Sequence, residues 1–168
     1  RAHAYDIPGI IRECQLIERR SPRARVGSWG YHAFRFRQYL ERYLSTGDLS
    51  DPPFAVFGEG NGKLPFSTFS SLPGASICPG AGSCLKFCYS YGGWRYPAAF
   101  FRQVQAALLL ASPAGRRIIA QEWARIRIPR GQVYRVVRLY VDGDFRPARP
   151  AGRRHATGSG LNPGTMLS

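Results

Sequence analysis

The sequence predicts an α/β chain: a βα unit with parallel strands, a helical N-terminal part before it and a disordered C-terminal tail after it. Three observations predict this. Residues 64–70 and 133–141 are rich in β-branched and aromatic side chains, and two helical patterns lie between them, the order that a parallel crossover requires. The first 45 residues carry apolar side chains at helical spacing. Residues 146–168 hold three prolines and four glycines with few large apolar side chains, a composition that does not build a core.

The elements follow in order. Residues 9–20 place Ile10, Ile11, Cys14 and Ile17 near helical spacing, and Ser21-Pro22 breaks the pattern. Cys14 there reads as a small buried apolar side chain, or else as a distant fourth metal ligand. Residues 31–44 predict a second helix with Phe34, Tyr39, Leu40 and Tyr43 on one face and Arg35, Arg37 and Arg42 available for a basic surface. Residues 46–62 are a breaker-rich connector in which residues 54–57 look strand-like. Residues 64–70 alternate apolar and polar, predicting a strand that leads into a Gly-rich loop over 74–93. Pro97 is placed to start a helix running to about Ala111. Ser112-Pro113 marks a further helix start, followed by Ile118, Ile119, Trp123 and Ile126 in helical rhythm, with an end at residues 129–132. Residues 133–141 are the clearest strand pattern in the chain. The resulting organisation is a helical segment over 1–45, a cysteine-loop α/β domain over 46–145 and a basic tail over 146–168.

The 168 residues suffice for one domain with a core, and 44% hydrophobic content argues against wholesale disorder. The longest apolar run, residues 106–111, is far short of the roughly 20 residues of a membrane helix, so no membrane partner is expected. No secretory signal pattern is visible, and the chain is expected in the cytosol. The formal net charge is +14, and 22 of the 24 basic residues are Arg. Such a balance suits a nucleic acid or another polyanion. The charge is uneven: residues 46–100 are neutral, and the basic excess lies on either side of them.

That neutral stretch contains the most distinctive chemistry. Cys78, Cys84 and Cys88 form a C-x5-C-x3-C array among glycines. In a reducing compartment, three thiols within eleven residues suit a metal or redox centre better than disulfides. Three thiolates on a short loop can converge on one inorganic centre, and glycines let backbone N–H groups approach it. An iron–sulfur cluster held by three thiolates keeps one iron open. A structural zinc site needs a fourth ligand, which Cys14, His3, His32 or His155 would have to bring from a distance. Three unliganded thiols are the remaining alternative. Tyr89, Tyr91, Trp94 and Tyr96 around the cysteines are candidates to shield such a centre, to fill core, or to stack on bases. No phosphate-binding loop, catalytic serine motif or zinc-protease motif occurs.

The segments 61–66, Cys78-Pro79-Gly80-Ala81 with Cys84 and Cys88-Tyr89, Trp94-Arg95-Tyr96, and 138–145 resemble the phage and prophage gene-product-eighty-eight family, over roughly residues 54–145. The layout also resembles radical S-adenosylmethionine enzymes, whose three-cysteine array follows the first strand of a barrel. That second resemblance implies a partial (βα) barrel-like unit, with Cys78, Cys84 and Cys88 holding a 4Fe-4S cluster and S-adenosylmethionine as cofactor. It implies that Phe87, the aromatic before the last cysteine, and Asp142, Gly143 and Asp144, at the end of the second strand, contact the cofactor. The array departs from the usual C-x3-C-x2-C spacing by two residues in the first gap and one in the second. The composition break after Phe145 is expected to mark a truncation or a shifted frame relative to a complete barrel. The alternative function is a zinc-stabilised nucleic-acid-binding module using Arg35, Arg37 and Arg42, or Arg116, Arg117 and Arg125, on phosphates. The substrate is not legible.

Overall fold

A computed structural model describes residues 5–21, 23, 25–59, 66–71, 82–88, 94–128, 131 and 133–139. Among them are four α-helices and a two-stranded parallel sheet, a mixed α/β arrangement that is mostly helical. Helix α1, Ile7–Arg20, starts two residues earlier than its apolar spacing suggests, because the Asp6 carboxylate accepts from Gly9 N–H and Pro8 sits in the first turn. Helix α2, Trp29–Thr46, is capped by Ser28 and closed by Gly47 at φ 70°. Helices α1 and α2 pack along each other through Ile7, Ile11 and Cys14 on one side and Ala33, Phe36 and Leu40 on the other.

Strand β1, Ser67–Phe69, pairs in parallel with β2, Val137–Leu139, in the register Ser67 with Val137 and Phe69 with Leu139. Helices α3, Pro97–Leu110, and α4, Pro113–Arg125, lie between them in sequence. Ser112 caps α4 as the sequence predicts, its Oγ accepting from Gly115 N–H at 3.0 Å. One hydrophobic cluster takes in α1, α2, the connector residues Leu49, Phe54 and Val56, Phe69 of β1, and Phe101, Leu108 and Leu109 of α3.

Two expectations need correction. Residues 54–57 form no strand; Gly58 instead makes an isolated antiparallel bridge to Thr68. The strand expected over 133–141 is confined, within the described residues, to Val137–Leu139, since β1 presents three residues for pairing. The expected tail over 146–168 lies outside the described residues. No helix among the described residues is long and apolar enough to cross a membrane.

Candidate functional site

Parallel pairing has one consequence for the site. The C-terminal ends of β1 and β2, at Phe69 and Leu139, share one edge of the sheet. In open α/β arrangements that edge is where ligands bind. The cysteine-bearing segment follows β1 in sequence, and Asp142-Gly143-Asp144 begins three residues after Leu139. Cys78, Asp142, Gly143 and Asp144 themselves lie outside the described residues. Just beyond β1, Ser71 is fully buried and its Oγ has no hydrogen-bond partner among the described residues. An orphaned hydroxyl of this kind is costly unless something polar reaches it. The buried Nε of Arg102, on α3, is likewise unpartnered, and the guanidinium lies where a Cβ on Gly58 would come within 2.8 Å of its Nη1.

The cysteine turn is a 3-10 helix, Ser83–Phe87, with Cys84 inside it. Cys88 ends it in an extended conformation, half-buried and with a free thiol. Phe87 is 76% exposed, so the aromatic side chain beside the last cysteine is not used in the core. After the turn, Trp94 Nε1–H donates to Gln103 Oε1 at 3.0 Å, and its ring meets Phe100 edge-on at 5.5 Å. Tyr96 is exposed at the start of α3, whereas Tyr89 and Tyr91 lie outside the described residues. Trp94 therefore fixes the entry to α3.

The distant candidates for a fourth ligand are committed elsewhere. Cys14 is buried between Ile7, Ile11 and α2. Burial above all, with the nearby Glu18 carboxylate, pushes its thiol up to about 12, so it resists ionisation to the thiolate that metals bind. His32 is buried against the Tyr31 and Phe54 rings, at 5.3 and 5.5 Å. His3 and His155 lie outside the described residues. Among the described residues, no group of three or more His, Cys, Asp or Glu gathers to hold a metal ion.

The two arginine sets differ sharply. On α2, Arg35 donates to Pro53 O at 2.7 Å, and Arg42 donates to Ser50 O. Arg37 is clamped by Glu18 at 2.6 and 3.2 Å and by Glu41 at 2.8 and 2.9 Å. These hydrogen bonds, led by that to Glu18, hold its guanidinium in the charged form. This trio ties helices and connector together. Arg116, Arg117 and Arg125 on α4 are exposed, Arg116 donating to Leu110 O at 2.8 Å and Arg125 to Glu122 Oε1 at 2.5 Å. Sequence reasoning missed a groove of about 400 Å³ beside them, walled by Phe57, Phe69, Ile119, Trp123 and Leu139, with Arg116 at its border. Its sequence signal is the 116, 119, 120, 123 spacing on α4.

No protein-family model, no curated protein and no solved structure matches the chain.

Proposed function

We propose that the chain is a phage-type iron–sulfur protein with a radical S-adenosylmethionine-like layout, in which Cys78, Cys84 and Cys88 hold a 4Fe-4S cluster. The observation that carries this reading is the parallel β1–β2 pair, which brings the strand end before the cysteines and the strand end before Asp142-Gly143-Asp144 to one sheet edge. The sheet with its two crossover helices is read as the first part of a (βα) barrel. Support for the reading comes from Cys88, half-buried with a free thiol, and from Ser71 Oγ and Arg102 Nε, which lack hydrogen-bond partners among the described residues near the cysteine segment in sequence. Such a centre, when present, supplies reductive cleavage of S-adenosylmethionine. The chain's own part is to bind the iron through three thiolates, to leave one iron without a protein ligand, and to face the cofactor with Phe87, Asp142, Gly143 and Asp144. Reduced thiols of this kind suit the cytosol. The zinc alternative draws no support from Cys14 or His32, both packed in the core.

Metal and acid-labile sulfide analysis of protein purified without oxygen tests the reading. About four iron and four sulfide per chain, with a visible spectrum that changes on adding S-adenosylmethionine, is the expected result. Cys84→Ala or Cys88→Ala should each remove the colour, while Cys14→Ala keeps it. A colourless protein with stoichiometric zinc would overturn the proposal.

A further inference from the structure

We infer that the groove along α4 is a docking surface for single-stranded nucleic acid, with Trp123 as the stacking ring and Arg116, Arg127 and Arg135 contacting phosphates. This inference stands apart from the iron–sulfur reading and needs none of the cysteines.

Charge is the first argument. Among the described residues from Pro113 to Leu139 there are six arginines, at 116, 117, 125, 127, 135 and 138, and all are exposed. The one acid there is Glu122, which Arg125 neutralises at 2.5 Å. The guanidinium is suited to planar, multidentate phosphate contact. Arg116 also donates to Leu110 O at 2.8 Å. The stretch is therefore strongly basic where it borders the groove.

Placement is the second. Arg116 borders the groove at one end of α4; Arg125, at the other end, stands half a turn round the helix from it and pairs with Glu122. Arg135 joins that far end, because its Nε donates to Ile126 O at 2.9 Å. Arg127 follows two residues after the helix and has no hydrogen-bond or ion-pair partner among the described residues. Positive groups thus stand at both ends of the helix that walls the apolar trough.

The third is the trough itself. Trp123 is 40% exposed, and Phe57 holds its ring edge-on at 6.1 Å. Tyr134, next to Arg135, is 75% exposed. An exposed ring between fixed cations is what a single strand uses, with bases stacked and phosphates paired. A duplex keeps its bases stacked inside, where Trp123 cannot reach them, and a polyanion without rings has no use for the apolar floor.

Fluorescence titration with a labelled 12-mer oligothymidylate tests this on the full chain. Binding should weaken with salt at a log–log slope of about −2, as three phosphate contacts on a single strand require. It should quench tryptophan emission, and Trp123→Phe should abolish the quenching while keeping the fold. Arg116→Glu with Arg127→Glu should lower affinity at least about tenfold. Arg19→Glu with Arg20→Glu makes the same charge change on exposed α1 residues and should cost less than about twofold. Arg127→Glu alone removes no contact among the described residues, so its fold is preserved, and it should still weaken binding. Equal losses from the α1 and α4 pairs would reduce the effect to diffuse attraction and overturn the inference. So would equal affinity for a duplex or for polyglutamate, or no binding at 0.1 M salt.

Discussion

Gln105 clasps the backbone of Phe54 on both sides: its Oε1 accepts from Phe54 N–H at 3.0 Å, and its Nε2 donates to Phe54 O at 2.7 Å. The glutamine is 1% exposed and sits on α3, fifty-one residues from its partner. It satisfies the backbone of a buried connector residue that no strand covers. Gln105→Leu should therefore cost about 2–5 kcal/mol, because two buried backbone groups lose their partners at once. Urea denaturation measures it; a change below about 0.5 kcal/mol would show that water replaces the clasp.

The same clasp explains where the sequence was legible. Helices α3 and α4 were, because Pro97, Ser112 and Pro113 act on their own neighbours. The strand character of residues 54–57 misled, because Phe and Val favour strands while the partner that fixes Phe54 is a distant glutamine side chain. The strand over 133–141 was overextended for a related reason: pairing length is set by β1. Of the site, the cysteine spacing was legible, but spacing alone does not say whether the three thiols meet, and Cys78 lies outside the described residues. The two arginine triads look alike as sequence, and only the positions of Glu18 and Pro53 show that Arg37 and Arg35 join α2 to α1 and to the connector, where Arg116 and Arg125 bond within α4 and its corner with α3.

Arg37 joins α1 to α2 through Glu18, and both side chains are largely withdrawn from water, at 19% and 11% exposure. Arg37→Met should cost about 2–4 kcal/mol, since Glu18 would stay largely buried with only the longer contact to Arg23 at 3.8 Å. Arg37→Lys should recover part of this, as a lysine cannot reproduce the fork. Added salt should change the loss little. A double-mutant cycle with Glu18→Gln measures the coupling, and a coupling near zero would refute the pairing's contribution.

Burial, and secondarily Arg35, hold the His32 imidazole below its ordinary 6.5, so the folded protein keeps it neutral. Its Nδ1 is buried without a hydrogen-bond partner among the described residues. The unfolded chain takes up a proton near 6.5 and the folded one does so later, so stability is intact above 6.5 and falls as pH drops through the depressed value. The slope approaches at most about 1.4 kcal/mol per pH unit. Thermal melts of the protein and of His32→Phe between pH 8 and 5 should diverge below 6.5. Parallel curves would assign the acid loss to other groups.

Thiol reactivity should separate the cysteines. With its pKa pushed up to about 12 and 2% exposure, Cys14 at pH 8 has only about one part in ten thousand thiolate. Iodoacetamide on metal-free folded protein should leave Cys14 unmodified until denaturant is added, while half-buried Cys88 reacts. Peptide mass spectrometry reads both. Loading with iron and sulfide should protect Cys88; modification of Cys88 at the same rate in loaded protein would remove it from the ligand set.

Gly115 fixes the corner between α3 and α4. A Cβ there would lie 2.2 Å from Leu109 O and 2.5 Å from Leu109 Cα, both backbone atoms that cannot rotate aside. Helix propensity alone would favour Gly115→Ala by about 1 kcal/mol. The overlap is larger, and α4 has to move away from α3, so the net effect should be a loss of about 2–4 kcal/mol. That movement carries Ile119 and Trp123 with it, since both line the groove from the same helix. Gly115→Ala should accordingly shift the tryptophan emission as well as the urea midpoint. A stabilised variant with unchanged emission would mean that the corner accommodates a methyl group and that the glycine serves no packing purpose.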